Sequence, residues 1–207
     1  AGPRVDPAGF LPAPLPDPAE DGGEVELEDL ASFMEHPVRA FLRQRARVVP
    51  QRENEEPSDA LPVEVDKLAQ WRIGDRLLAD RIAGADAGRS LAAEWRRGEL
   101  PPGGIGSRVL EEVASSVDPL VLAAAAAREG EPGSRDVGVP LGAGPILVGT
   151  VPRLHGDTIV RVEYSRLKAK QRLRAWVQLL ALTAGHPDVA WRAVTLGRGG
   201  RGGAARS

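Results

Sequence analysis

Residues 148–182 read V-G-T-V-P-R-L-H-G-D-T-I-V-R-V-E-Y-S-R-L-K-A-K-Q-R-L-R-A-W-V-Q-L-L-A-L. Two runs rich in β-formers, 145–151 and 158–163, flank a Pro-Arg-Leu-His-Gly-Asp reversal at 152–157. Gly156 and Asp157 tolerate the backbone angles of a tight turn, so the stretch predicts a hairpin. A helical pattern follows over 167–184, with Leu173, Trp176, Val177, Leu180 and Ala184 on one face. Gly185-His186-Pro187 stops it. Outward from this centre, a further strand is expected at 136–141 and a last one at 188–194. A helix over 106–129 precedes them, with Asp118-Pro119 expected to kink or divide it. The order across 106–195 is helix, three strands, helix, strand, which predicts an α/β class. The helix between the third and fourth strands suits a right-handed crossover between parallel strands.

The chain before this core reads differently. Residues 1–24 carry many of the 18 prolines and predict an extended connector, in which Phe10 and Leu11 are the apolar residues able to dock. A helical portion spans 25–130 within a domain expected at 25–195. Its first helix places Leu27, Leu30, Phe33 and Met34 on one face. Pro37 ends that helix at His36 and opens a second over 37–48, expected to bury Val38, Phe41, Leu42 and the Arg45 stem. His36 reads as a helix-boundary side chain. Residues 51–61 read as a polar loop and 61–65 as a short strand. The next helix, 66–83, is capped by Asp66, with a core face of Leu68, Trp71, Leu78 and Ile82. Gly74 marks a point of close approach for another helix. A short helix at 90–97 turns Leu91 and Trp95 inward. Residues 96–106, R-R-G-E-L-P-P-G-G-I-G, read as a turn fixed by Pro101 and Pro102. No strand precedes them and no Lys-Ser or Lys-Thr pair follows, as a phosphate-cradling loop requires. Residues 196–207 predict a flexible Gly/Arg-rich end with too few Arg-Gly units to suggest an RNA-binding repeat.

At 207 residues the chain is long enough for one domain with a real core. Its formal net charge is −2, so any nucleic-acid surface is a local patch. Lys67, Lys168 and Lys170 are the only lysines among 27 basic residues. With abundant Ala, Gly and Pro, this reads as the codon bias of a GC-rich genome, so position matters more than count. Three groups stand out as DNA-contact candidates. Arg39, Arg43 and Arg47 recur every fourth residue, which suits a phosphate backbone or, more plainly, a solvated face pairing with Glu53, Glu55 and Glu56. Arg96 and Arg97 flank the Gly-rich turn. Lys168, Lys170 and Arg172, with Arg166 and Arg174, open the long helix, where cations oppose the dipole. They call for acidic neighbours, a partner or DNA phosphate, and Lys168 and Lys170 lead. There is no cysteine, which excludes disulfides, cysteine-ligated zinc and iron–sulfur clusters. His36, His155 and His186 have no metal-binding spacing. No apolar run approaches a membrane span and no signal-peptide pattern appears, so a cytoplasmic location is expected. The missing initiator Met suggests a fragment of something larger.

The hairpin followed by a helix resembles the centre of the restriction-endonuclease-like nucleases. Within them the chain resembles one branch, the C-terminal domain of RecC-type subunits, the gamma chain of exodeoxyribonuclease V. The residues that carry this are V-D-P-A-G-F-L-P (5–12), L-E-D-L-A-S-F-M-E-H-P-V-R-A-F-L-R-Q-R (27–45), V-D-K-L-A-Q-W-R-I-G-D-R-L-L (65–78), the 96–106 turn and S-R-L-K-A-K-Q-R-L-R-A-W (165–176). The resemblance implies a non-catalytic domain in double-strand break repair. Such subunits hold RecB-like and RecD-like chains, split the incoming duplex, pass DNA strands through channels and help read Chi.

The same resemblance implies a nuclease pocket without its ligands. Active relatives place an Asp after a Gly-x-hydrophobic step; here Pro152 follows Gly149-Thr150-Val151. They then use an acid, a spacer and a Lys. In one register these positions hold Val162 and Tyr164; shifted by one, they hold Glu163 and Ser165. Neither restores the trio that positions metal and stabilises attacked phosphate. No catalytic residue, metal ligand or cofactor is therefore expected. Related helicase–nucleases also place an iron–sulfur Cys before the proline matching Pro37, where this chain has His36. The alternative is an active Mg²⁺-dependent exonuclease with migrated ligands among Glu111 or Glu112, Asp157, Glu163 and Lys168. A third reading is an unrelated protein-interaction module.

Overall fold

A computed structural model describes residues 23–48, 65–142, 144–199 and 204–206. Gly156 and Asp157 make the turn of the central hairpin, and Gly156 takes φ 59°. The turn is tighter than the six-residue reversal expected, because β3 (Ile146–His155) runs on through Pro152 before β4 (Thr158–Val162). His155 pairs with Thr158, and Leu154 with Ile159. β2 (Pro132–Pro140) lies antiparallel along the other edge of β3. β1 (Glu24–Glu26) pairs in parallel with Ile146–Val148. It was not expected, because three residues with two exposed glutamates carry no strand signal. β1 and β4 share one edge of β3, and residues 149–153 lie between their ladders.

A bulge sets which side of β3 is buried. Pro152 and Arg153 stand against the single residue Ser134, and Arg153 takes φ 62°. The extra residue shifts the two-residue alternation by one. Leu147, Val151 and Leu154 therefore all reach the same core. That core also takes Leu27 and Ala31 of α1 (Leu27–Glu35), Val137 of β2, Ile159 of β4 and Val177, Ala181 and Leu182 of α6 (Ala169–Gly185). Gly149 lets α1 come this close: a side chain there would meet the Leu27 Cβ at 2.8 Å.

α6 joins β4 to β5 (Arg192–Arg198), and the two strands pair in parallel, as a crossover requires. β5 starts later than the 188–194 expected and runs past Leu196, where a flexible end was expected. Val194 and Leu196 hold it by packing on Ala124. β6 (Ala204–Arg206) then adds antiparallel to β5. On the opposite face of the sheet lie α5 (Gly104–Ala127) and α3 (Lys67–Ile82). α5 is continuous through Pro119. Val113, Val117, Leu120 and Ala124 are all buried on its inner side, and packing outweighs the lost hydrogen bond. The architecture is α/β, a mixed six-stranded sheet with helices on both faces.

The helices turn other faces inward than the pattern predicts. In α6 the buried residues are Gln171, Ala175, Val177, Gln178, Ala181 and Leu182, while Trp176 and Leu180 stay more than half exposed. Small alanines let α6 sit close to the sheet, and its large residues face out. α3 buries Ile73, Gly74, Leu77 and Leu78, leaving Leu68 and Trp71 exposed. Asp66 caps it as expected, accepting from the Ala69 N–H at 2.7 Å. α2 (Pro37–Gln44) buries only Ala40, with Val38 and Phe41 exposed. α4 (Ala87–Arg96) buries Ser90 and Glu94 rather than Trp95. Of the connector expected at 1–24 and the short strand expected at 61–65, residues 1–22 and 61–64 lie outside the described residues, and Glu24 opens β1.

The rotation of α3 has one cause. Tyr164, just past β4, is 2 % exposed, and its ring occupies the space where Gly74 would carry a side chain. Close approach at Gly74 is thus by an aromatic ring rather than by a helix. Gly74→Ala should destabilise the fold by about 2–3 kcal/mol in urea unfolding. In a Tyr164→Leu background the same change should lose most of that penalty. Equal penalties in both backgrounds would show that the ring is not the obstacle.

Candidate functional site

The last residues of β4 and the three that follow hold the positions where a nuclease of this pattern needs its acid and lysine. Their side chains meet different surroundings. Val162 and Tyr164 pack into the core shared by α3 and α5. Tyr164 fills the lysine position of that register, and the Arg198 guanidinium lies 4.4 Å above its ring. On the other side, Glu163 forms a salt bridge with Arg161 at 3.1 Å. Ser165, the lysine position of the second register, accepts a hydrogen bond from the Trp71 indole N–H at 3.1 Å. Upstream, Pro152 offers no ligand, and Thr150 Oγ1 donates to Asp136 at 2.6 Å.

This donor set does not fit a divalent ion. Among the described residues no three His, Asp or Glu side chains converge to hold one. The candidate migrated ligands are dispersed. Asp157, at the hairpin tip, makes two 2.9 Å hydrogen bonds with Arg192. Glu111 and Glu112 are exposed on α5, and Lys168 caps α6. Asp75 of α3 comes near enough to Glu163 to feel its charge. Burial first, and then Glu163, pushes the Asp75 carboxyl above its ordinary value, partly offset by Arg76.

A chain of charges fills the α6 side of the sheet. Arg161 is 9 % exposed, reaches Glu163, and has its Nε buried without a partner. Burial lowers its pKa, opposed by Glu163 and reinforced by Arg153 and Arg174. Arg174 of α6 clamps α1, bonding Glu28 at 2.6 Å and Glu35 at 2.7 Å. For this residue the charge at the start of the long helix is met by acidic neighbours, and its pKa rises above the ordinary value. A second clamp joins α3 to α4. Buried Glu94 receives Arg76 at 2.6 Å and Arg97 at 3.1 Å.

The predicted DNA-contact residues separate into groups. Arg39 and Arg43 are exposed on α2, but that helix ends at Gln44. Arg47 lies beyond it with φ 52°, so the stripe does not continue. Arg96 is exposed, whereas Arg97 is tied to Glu94. Lys168 and Lys170 meet in a polar cavity of about 280 Å³ with Trp71, Ser165, Arg166 and Arg198. Arg172 lines a larger apolar cavity of about 530 Å³ between α6 and β5, beside Leu173, Trp176 and Leu179, and Lys168 borders this cavity too. Sequence reasoning missed three members of the polar group. Arg198 was placed in a flexible end and Trp71 in the core, and Lys67, which lines the adjoining cavity with both, was noted only as one of three lysines. Trp71 lies i+4 from Lys67 on one helix, which was the available signal. His186 closes α6, and its Nε2 lies 2.7 Å from the Asp136 carbonyl. His36 sits at the α1–α2 boundary with no side-chain cap bond.

The family described as the RecC C-terminal domain matches residues 22–201. The "RecBCD enzyme subunit RecC" of Mycolicibacterium smegmatis is 42 % identical over 193 residues, covering 93 % of this chain and 18 % of that protein. The protein of the same name from Mycobacterium tuberculosis is 39 % identical over 198 residues, covering 96 % and 18 %. That of Escherichia coli is 29 % identical over 175 residues, covering 84 % and 15 %. The chain thus spans less than a fifth of the curated relatives it matches.

The α1–α6 clamp sets a pH dependence. Burial alone would raise the Glu35 carboxyl, but the hydrogen bond and charge of Arg174, with Arg161 and His36, hold it below its ordinary 4.5. Its contribution is complete above that value and is lost as pH falls through the lower folded one. Glu35→Gln should therefore cost about 1–2 kcal/mol at pH 7 and much less near pH 3, measured by urea unfolding. An equal loss at both pH values would remove the ionic role.

Proposed function

The chain belongs to the RecC C-terminal domain family, and on that premise we propose that it is a non-catalytic domain of the gamma subunit of a RecBCD-type helicase–nuclease. It serves double-strand break repair and recombination in the cytoplasm. It scaffolds RecB-like and RecD-like chains and guides DNA strands through the complex. Its framework is that of a restriction-endonuclease-like nuclease, built as α5, a β2–β3–β4 meander, α6 and β5.

The observation that carries this reading is the filled pocket. Tyr164 and Ser165 stand at the two candidate lysine positions, and Pro152 stands where an acid is needed. Tyr164 is locked against Gly74 and under Arg198, so no lysine-like amine reaches a phosphate from there. Glu163, the one carboxylate retained, is neutralised by Arg161. A nuclease loses most of its rate when such positioned charge is removed. Among the described residues no helix is long and apolar enough to cross a membrane, which is compatible with work on DNA inside the cell.

Two measurements test the proposal. Purified protein incubated with linear duplex or single-stranded DNA and Mg²⁺ or Mn²⁺ should leave the DNA intact. Cleavage that disappears in Glu163→Ala would overturn the non-catalytic reading. Co-expressed with RecB-like and RecD-like chains of its own genome, the complete gamma subunit should co-purify with both. Failure to associate would overturn the scaffold.

A further inference from the structure

Six arginines have an acid within reach. Arg76, Arg81, Arg97, Arg161, Arg174 and Arg192 all form ion pairs. One group does not. Lys67, Arg166, Lys168, Lys170 and Arg198 line two adjoining cavities of about 230 and 280 Å³ that share Trp71 and Arg198. None of the five has an ion pair among the described residues. Among the described residues the only acid on the lining is Glu112. Like charges gathered in a groove repel one another and raise the local potential, which attracts an anionic chain. Arg166, Lys168 and Lys170 stand at the start of α6, and Lys67 at the start of α3, where the helix dipole adds an unfavourable contribution that an anion would relieve.

Two members are built in place. The Arg198 backbone N–H donates to the Ser165 carbonyl at 2.8 Å, and its guanidinium is stacked on Tyr164. Its Nε is buried with no partner. Trp71 is fixed through its indole N–H to Ser165, yet 37 % of it stays exposed among the cations. Cations spaced along a groove with a fixed, exposed aromatic ring match a chain that offers both phosphates and open base faces. A duplex has its base faces stacked, and an acidic peptide leaves the indole unused.

We infer that this groove binds single-stranded nucleic acid, with Lys67, Arg166, Lys168, Lys170 and Arg198 on the phosphodiester backbone and Trp71 against a base. Strand guidance, proposed above, is the premise this site deepens. The ring that closes the former lysine position also carries the arginine that faces the strand.

The test is fluorescence anisotropy of the full chain with a labelled oligo(dT) of about 12 nucleotides, across a salt series. The exposed pair Lys168→Glu/Lys170→Glu should weaken binding about tenfold or more. It should also lower the slope of log K against log salt by about 1.4, the value for two phosphate contacts on a single strand. Trp71→Ala should weaken binding of oligo(dT) several-fold but leave an abasic strand of equal length unaffected. Trp71→Phe should retain most of the affinity. Arg89→Glu/Arg135→Glu makes the same charge change off the groove and should leave binding near wild type. Unchanged binding by the double lysine variant, equal loss in the off-groove variant, or competition by polyglutamate as strong as by oligo(dT) would each overturn the site. Thermal melts within a few degrees of wild type establish that the variants fold. Co-purification with RecB-like and RecD-like chains is scored separately. A lysine variant that assembles but loses the strand supports the groove, whereas wild-type failure to assemble bears on the scaffold alone.

Discussion

The placement of one aromatic ring governs much of this molecule. Tyr164 leaves the end of β4 and comes to rest where only a glycine, Gly74, leaves room. That contact draws α3 against the sheet and turns Ile73, Leu77 and Leu78 inward with α5. It also fixes Arg198 of the neighbouring strand through its ring face. In an interior packed as densely as an organic crystal, a phenol ring and a lysine amine cannot share one position. On the function proposed above, the contact that consolidates the helical layer is also the one that keeps an amine out of this position.

Charge is divided between structure and surface in a consistent way. On the α6 side Arg174 and Arg161 are engaged with Glu28, Glu35 and Glu163, and Arg174 ties α6 to α1. Between α3 and α4, Glu94 is fully enclosed and bound by two arginines. Such partly buried pairs add less to net stability than their short distances suggest, because desolvation opposes them, but breaking one leaves a charge stranded. The cations around Trp71 have no such partners. A chain with a net charge of only −2 thereby carries a concentrated positive groove without a basic composition.

The order of elements around the hairpin was legible from sequence because turn chemistry and period are local. Gly156-Asp157, Pro37 after His36, and the Asp66 cap all act within a few residues. The family was legible because its motifs run in order through the chain, and the match over 22–201 bears this out. What failed was the choice of buried face. Large apolar residues were assigned inward, but α6 packs through Ala175 and Ala181 and leaves Trp176 outside. No local rule reveals that a helix will sit on alanines, since the reason lies in the sheet beneath it. β1 and β6 were invisible for a related reason: three-residue strands form only because an edge is offered by β3 or β5. The basic groove was half legible. Lys168 and Lys170 were evident, while Lys67, Trp71 and Arg198 come from two distant elements brought together by the fold.

The central claim is that the pocket of a nuclease-like framework has exchanged its metal-binding charge for packing. Manganese titration followed by isothermal calorimetry and electron paramagnetic resonance tests this directly. The account predicts no saturable binding in the micromolar range and a spectrum of free aqueous ion throughout. One ion bound tightly per chain, and released by Glu163→Ala, would contradict it.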